Sequence, residues 1–476
     1  MSGYAGRPVL VAGAGIAGRA CATALLRLGA EVTVIDRADS AALAELAAAG
    51  ASTVVAETPD AALLERVTDV VVSPGFAPSH PLVVAAAAAG KEIYSEPELA
   101  WRLRRPGADG QPAPWLAVTG TNGKTTTVTM LAAILDAAGV RSAALGNVGE
   151  PLVDAVLRPA GEQFQAIAVE LSSFQLHWSS QLAPQAGALL NLADDHLDWH
   201  GGFEAYAAAK ADLWRDPGGV AIGNADDPRC AALLAAAPGR RVGFTLSPPQ
   251  PGQLGVADGV LLDHAFTVTP TEPPPAEPPL TELLPVTGLQ VTGAHNVANA
   301  LAAAGLARAY GVTPQAVRDG LAGYTAPPHR AAPVATVGGV IYVDDSKATN
   351  PHAAYSSLTA YPRVVWIAGG QLKDVAVEEL VAGVAGHLVG VVLIGTDRAQ
   401  IGDAVRRHAP GVPIADINRT DDGAMAEAVA AAAALAAPGD TVLLAPAAAS
   451  FDMFTGYVQR GERFAAAVHA LRTAAD

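Results

Sequence analysis

The chain has 476 residues, 51% hydrophobic and 16% charged, with 46 acidic side chains against 30 basic ones and a formal net charge of −16. That length predicts two or three domains, and the acidic balance excludes a protein whose main task is to coat nucleic acid or an anionic membrane. No apolar run reaches the roughly 18–20 residues of a spanning helix, the first residues lack a basic segment before an apolar core, and Cys21 and Cys230 are too few for a disulfide framework or a metal cage. A cytoplasmic protein with no nucleic-acid partner and no membrane insertion is expected.

Apolar runs of β character alternate with alanine-rich helical runs, which predicts an α/β chain with parallel sheets covered by helices. Segments rich in Pro, Gly and charge at 104–115 and 325–334 read as linkers. They divide the chain into domains at 1–110, 111–326 and 327–476. A Pro-rich stretch at 247–285, containing TPTEPPPAEPP, reads as a surface insertion whose composition builds no core. Only five of the 30 basic residues are lysines, namely Lys91, Lys124, Lys210, Lys347 and Lys373. Where arginine is the default cation, each lysine raises a chemical question, because an ammonium is compact and its amine titrates.

The first element pair, VLVAGAGIAGRACATALLRLGAEVTVID, places Gly13, Gly15 and Gly18 between a strand and a helix, with Asp36 closing the next strand. Backbone N–H groups at such a helix start attract phosphate, and the pattern fits a dinucleotide, another nucleotide or a purely structural turn. VVVSPGFAPSHP, from residue 70, reads as a second wall of the same crevice. After the first linker, the strand WLAVTG leads into Gly120, Thr121, Asn122, Gly123, Lys124, Thr125 and Thr126 and then a helix. This is a phosphate cradle: the loop amides wrap the phosphates, Lys124 reaches the outer ones, and the Thr125 hydroxyl suits Mg²⁺. Val118 stands where a strict phosphate-loop pattern has its first glycine.

Polar residues then follow three apolar strands: Asn147 after ALG, Glu170 through Gln175 after IAV, and Asn191 through Asp198, including His196, after ALL. Ligand crevices of open α/β sheets lie beyond the strands' carboxyl ends, so these segments favour a metal-assisted phosphoryl site. Lys210, on YAAAK, shares a helix face with Tyr206, and by spacing alone it reads as a solvated surface charge. Asn296 opens a further helix, and Arg330 ends Pro-His-Arg at the second linker. In the last stretch, Asp345, Lys347 and Thr349 follow a strand, Lys373 follows a Gly-Gly turn, and Ser450 lies seven residues before Tyr457.

Taken in order, GTNGKTT, ALGNVG, ELSSFQL, DDHLDWH, YAAAK, GAHNVANALAA, PHR, DDSKATNP and APAAASFDMF closely resemble the Mur ligases, from the first glycine turn to the C-terminus. The resemblance implies three α/β domains: an N-terminal Rossmann-like domain holding the UDP of a substrate, a central phosphate-loop ATPase-type domain, and a C-terminal Rossmann-like domain for the amino acid. It implies a monomeric ATP-dependent ligase that joins D-glutamate to UDP-N-acetylmuramoyl-L-alanine through an acyl phosphate, in peptidoglycan precursor synthesis. Residue by residue, it implies that Lys124 contacts the γ-phosphate and that Thr125, Glu170 and His196 hold two Mg²⁺. Lys210 is implied to be a carbamylated lysine, with a CO2-derived carbamate on the second metal. Asn296, Arg330 and Asp345 are implied in ATP binding beside the loop 120–126. Gly15, Ile16, Ala17, Asp36, Arg37, Ser73, Asn147 and Gln175 are implied for the UDP substrate, and Lys347, Thr349, Lys373, Ser450 and Tyr457 for D-glutamate. Ala17 and the Gln371-Leu372 pair before Lys373 depart from the pattern of some relatives. The lack of an Asp-Asn-Pro-Arg motif disfavours a diaminopimelate-adding relative. A folate-type polyglutamate ligase, a dehydrogenase and a nucleotide sensor without turnover are the competing readings.

Overall fold

Short apolar runs bounded by Gly, Pro or Asp become strands buried on both faces, as Trp115–Thr119 and Val364–Gly369 are, and parallel sheets covered by helices require this. The computed structural model describes residues 3–107, 110–266, 279–291, 293–372 and 375–475. The strands form three sheets, which gives the α/β, three-domain architecture expected above.

The first sheet contains β1 (Pro8–Ala12), β2 (Glu31–Asp36), β3 (Ser52–Val55), β4 (Asp69–Val72) and β5 (Glu92–Ser95). They run parallel in the order β3-β2-β1-β4-β5. The turn after β1 needs its glycines. Gly13 has φ +92°, and a Cβ on Gly18 would lie 1.8 Å from the Gly13 carbonyl oxygen, so only glycine lets the helix Ile16–Arg27 close on the strand.

The second sheet has nine strands: β6 (Trp115–Thr119), β7 (Ala144–Gly146), β8 (Ile167–Glu170), β9 (Ala186–Leu189), β10 (Val220–Asn224), β11 (Arg240–Phe244), β12 (Gln253–Ala257), β13 (Val260–Asp263) and β14 (Thr281–Pro285). Their order is β14-β13-β12-β11-β10-β9-β6-β8-β7. β6 through β12 are parallel, and β13 and β14 add an antiparallel margin. This corrects the reading of 247–285 as a stretch that builds no core. Leu254, Leu261 and Leu283 within it are fully buried. Its composition averages three short strand signals with a proline cluster, most of which lies outside the described residues. One apolar cluster runs through both of these sheets, joining Leu25, Tyr94 and Leu99 to Trp115, Leu152 and Trp214.

The third sheet holds β15 (Ala332–Val337), β16 (Val340–Asp344), β17 (Val364–Gly369), β18 (Leu388–Ile394), β19 (Ile414–Asp416) and β20 (Thr441–Leu444), in the order β15-β16-β20-β17-β18-β19. Along β17 the side chains alternate between two cores, Val364, Trp366 and Ala368 on one face and Val365 and Ile367 on the other. By packing, Met1–Gly288 with Ala298–Gly323 forms one compact unit, and Leu289–Val297 with Tyr324–Asp476 forms a second. Among the described residues, no helix is long and apolar enough to cross a membrane.

Candidate functional site

The loop after β6 takes its shape from two glycines in conformations that other residues resist, Gly120 at φ +153° and Gly123 at φ +83°. A Cβ on Gly123 would lie 2.4 Å from the Asn299 side-chain oxygen, so glycine is also required by space. The Asn122 N–H donates to Asn191 Oδ1 at 2.8 Å and Asn191 Nδ2 returns a bond to the Asn122 carbonyl at 3.1 Å, which ties the loop to the segment after β9. The helix Lys124–Ala137 starts directly behind it. Its first N–H groups have no partner within the helix, and the dipole adds a partial positive charge, which makes an anion site. Lys124 Nζ folds over the loop and donates to the Gly120 and Thr121 carbonyls, both at 2.8 Å.

Three adjacent strand ends bring polar groups to this helix start. Glu170, buried at the end of β8, accepts the Thr125 hydroxyl at 2.6 Å on one carboxylate oxygen and Asn147 Nδ2 at 2.9 Å on the other. Asn147 follows Gly146, whose φ of +103° brings the chain so close that a Cβ there would be 2.3 Å from the Glu170 carbonyl oxygen. Thr121 is held by the Tyr206 hydroxyl at 2.7 Å.

Lys210 contradicts the surface reading that its spacing allowed. Only 2% of it is exposed, and its ammonium donates to the Gly120 carbonyl at 2.8 Å, the same oxygen that Lys124 uses. Burial, and then the charge of Lys124, holds its pKa well below the ordinary lysine value. Lys124, Asn147, Phe174, His196, Tyr206 and Lys210 line one cavity of about 320 Å³, together with Pro74 and Gly75 from the loop after β4. His196 sits in the left-handed region at φ +52° with its ring 4.7 Å from that of Phe174. Trp199 and His200 extend this aromatic wall, and His200 Nε2 lies 2.9 Å from Ser173 Oγ.

Among the described residues, no group of three or more His, Cys, Asp or Glu side chains could hold a metal alone. The hydroxyl of Thr125 and the carboxylate of Glu170 are hard oxygen donors at a phosphate loop. Such a sparse set fits Mg²⁺, which keeps waters and takes phosphate oxygens instead of a complete protein cage.

At the first sheet, Asp36 Oδ2 accepts the Ala14 N–H at 2.7 Å, bracing the glycine turn, while Ser73 Oγ donates to the Ala12 carbonyl at 2.9 Å. The loop after β4 therefore does pack against that turn, and it reaches the phosphate-loop cavity as well. Gly15 caps the helix and Ile16 is 73% exposed beside it, with Ala17 next in the first turn and Arg37 at the surface. Gln175 is buried, and its side chain completes a capping box with Ser172.

In the second unit, Asp344 Oδ2 lies 2.6 Å from His329 Nδ1, and Asp345 Oδ1 accepts the Ala331 N–H at 3.2 Å. Burial pushes the Asp345 carboxyl up to about 6, against the pull of that N–H and of nearby Arg330. Lys347 Nζ sits 4.2 Å from the centre of the Tyr457 ring, Thr349 N–H donates to the Lys347 carbonyl at 2.8 Å, and Ser450 and Asn296 are buried. Lys373 lies outside the described residues.

Neither Asn299 nor Asn191, which opens one of the polar segments named above, was assigned a role of its own from the sequence. A three-residue spacing from Asn296 puts Asn299 on the same helix face and could have nominated it.

Three family models match the chain: "Mur ligase MurD-like, N-terminal domain" at residues 7–95, "Mur ligase middle domain" at 118–307 and "Mur ligase, glutamate ligase domain" at 329–448. The UDP-N-acetylmuramoylalanine--D-glutamate ligase of Thermobifida fusca is 53% identical over 98% of this chain and 99% of its own length. That of Streptomyces coelicolor is 52% identical over 99% of each. Among solved structures, MurF from Acinetobacter baumannii aligns with a TM-score of 0.56 at 18% identity, covering 92% of this chain and 89% of its own. UDP-N-acetylmuramate-alanine ligase MurC from Thermotoga maritima aligns with a TM-score of 0.55 at 17% identity, covering 98% and 99%. At these identities the structural likeness is one of fold.

Proposed function

The chain belongs to the Mur ligase family, and we propose that it joins the amine of D-glutamate to the alanyl carboxylate of UDP-N-acetylmuramoyl-L-alanine, cleaving ATP to ADP and phosphate in peptidoglycan precursor synthesis. The observation that carries this reading is the single cavity in which two of the chain's five lysines, Lys124 and Lys210, meet the phosphate loop opposite His196 and Asn147. The named activity of relatives alike over nearly the whole chain supplies the substrates.

In this reading ATP transfers its γ-phosphoryl group to the substrate carboxylate, giving an acyl phosphate. The D-glutamate amine then adds to the acyl carbon, and phosphate leaves from the tetrahedral intermediate. The protein's task is chiefly positioning and charge stabilisation. The loop 120–126 and the Lys124 ammonium take the phosphates. Thr125, Glu170 and His196, with a carbamate formed on Lys210, would hold two Mg²⁺, which when bound neutralise phosphate charge. Carbamate formation needs an uncharged amine, and the burial of Lys210 favours that state. The 1–110 domain holds the UDP substrate through Gly15, Ile16, Ala17, Asp36, Arg37 and Ser73, with Asn147 and Gln175 added from the 111–326 domain. Asn296, Arg330 and Asp345 bind ATP. The 327–476 domain offers Lys347, Thr349, Lys373, Ser450 and Tyr457 to D-glutamate. Two lysines on its carboxylates leave the amine free to attack.

The test is phosphate release by the purified protein with ATP, Mg²⁺ and UDP-N-acetylmuramoyl-L-alanine, comparing D-glutamate, L-glutamate and meso-diaminopimelate. Release should depend on D-glutamate and stop when EDTA removes the metal. Release that ignores D-glutamate, or that prefers diaminopimelate, rejects the reading.

A further inference from the structure

Arg460 is among the most buried charged residues of the described chain, 1% exposed in the first turn of the helix Tyr457–Ala475. A guanidinium is expensive to bury, and it persists where its planar fork meets several acceptors at once. Here the fork spans two loops. Nε donates to Ser346 Oγ at 3.0 Å, Nη2 to the Ser346 carbonyl at 2.8 Å, and Nη1 to the Ala448 carbonyl at 3.1 Å.

All three partners are neutral oxygens, so none of these bonds neutralises the charge. The acids that act on it from a distance are otherwise engaged: Asp344 accepts Ser346 N–H and meets His329, and Asp452 accepts Thr396 N–H. Burial lowers the pKa of Arg460 to about 10, which leaves it protonated at neutral pH.

The two loops are the ends of neighbouring parallel strands, β16 and β20. Ser346 precedes Lys347, and Ala448 stands two residues before Ser450. The Ser346 hydroxyl donates in turn to the Tyr457 carbonyl at 2.7 Å, and the Ala447 N–H to the Ala348 carbonyl at 2.9 Å, with Ala447 held in the left-handed region at φ +60°. Among the described residues read as binding the amino acid, Lys347 is thus next to Ser346, Thr349 donates its N–H to the Lys347 carbonyl, Ser450 is two residues from Ala448, and Tyr457 itself carries the carbonyl bonded to Ser346. We infer that Arg460 is a positioning residue for the amino-acid substrate. Its guanidinium ties the loop of Lys347 and Thr349 to the loop of Ser450, and so sets the spacing of the groups that hold a dicarboxylate. This rests on the reading that D-glutamate binds at this end of the third sheet.

The test separates the two half-reactions. Hydroxylamine is a small nucleophile that captures an acyl phosphate as a hydroxamate without needing the amino-acid site. R460Q should raise the KM for D-glutamate by about 10- to 100-fold, the loss expected for charge-assisted hydrogen bonds. The KM values for ATP and the UDP substrate, and the rate of hydroxamate formation, should stay within about threefold. R460K keeps the charge but cannot fork across two loops, so it should also raise the D-glutamate KM, and it carries the test if R460Q fails to fold. An unchanged KM for D-glutamate, or hydroxamate formation falling in parallel with D-glutamate use, overturns the assignment alone. A wild-type enzyme that forms the hydroxamate but ignores D-glutamate overturns the substrate reading and this assignment with it.

Discussion

Lys210 shows what one residue can conceal. Its spacing on YAAAK is that of a surface lysine, yet the helix Phe203–Ala211 turns it inward onto the Gly120 carbonyl. Because its folded-state pKa lies below the unfolded value, the unfolded chain binds the extra proton over the interval between them. Stability therefore falls as pH drops through that interval, and at neutral pH Lys210 destabilises the unliganded fold. Lys210→Met should accordingly raise the melting temperature in carbonate-free buffer by a few degrees, since about 1 kcal/mol moves a transition of this size by about 2–4 °C. The same substitution, or Lys210→Ala, should lower turnover by about 10²-fold or more, and short-chain carboxylates should partly restore the Ala variant. Full activity without the lysine would return it to an incidental role. Asp36 and Gln175 carry a related lesson, since both nominated ligand contacts already have structural hydrogen bonds, Asp36 to the glycine turn and Gln175 to a helix start.

Between elements, the buried polar contacts do what apolar patterning cannot. Glu96 opens the helix Glu96–Leu103, yet its carboxylate accepts the Val153 N–H at 2.7 Å and so caps the start of a different helix, Leu152–Val156. Burial pushes its carboxyl from the usual 4.5 up to about 7, against the two backbone N–H bonds and with some help from Asp154. With the folded-state pKa raised, the unfolded chain gives up the proton first, and stability falls as pH rises from 4.5 to 7. Glu96→Gln keeps the acceptor and removes the charge. Its melting temperature should exceed that of the wild type by about 2–4 °C at pH 8, on the order of 1 kcal/mol, and the gap should close near pH 5. A gap independent of pH would show that Glu96 is not the group that titrates. The strands β12–β14 escaped for a different reason, because a window dominated by prolines hid apolar pairs such as Val256 with Leu261.

For the whole molecule, the two compact units set the expected thermal behaviour. Calorimetry should resolve two transitions, and ATP with Mg²⁺ at about 100 times its Kd should stabilise the one containing the phosphate loop by about 2.7 kcal/mol. A single transition insensitive to nucleotide would contradict this division.

The phosphate loop, the glycine turn after β1, the α/β class and the family were all legible in the sequence. The two loops depend on local backbone conformations, such as Gly120 and Gly123 at positive φ ahead of Lys124, and the class and family on the order of such local patterns along the chain. Tertiary structure alone decided which surfaces vanish from water: that Lys210 is buried against the loop, that Asn191 is hydrogen-bonded to it and Asn299 packs against Gly123, that Glu96 caps a distant helix, and that Arg460 joins two strand ends. Burial and hydrogen-bond satisfaction are properties of neighbours brought together from distant parts of the chain, and local periodicity carries no record of them.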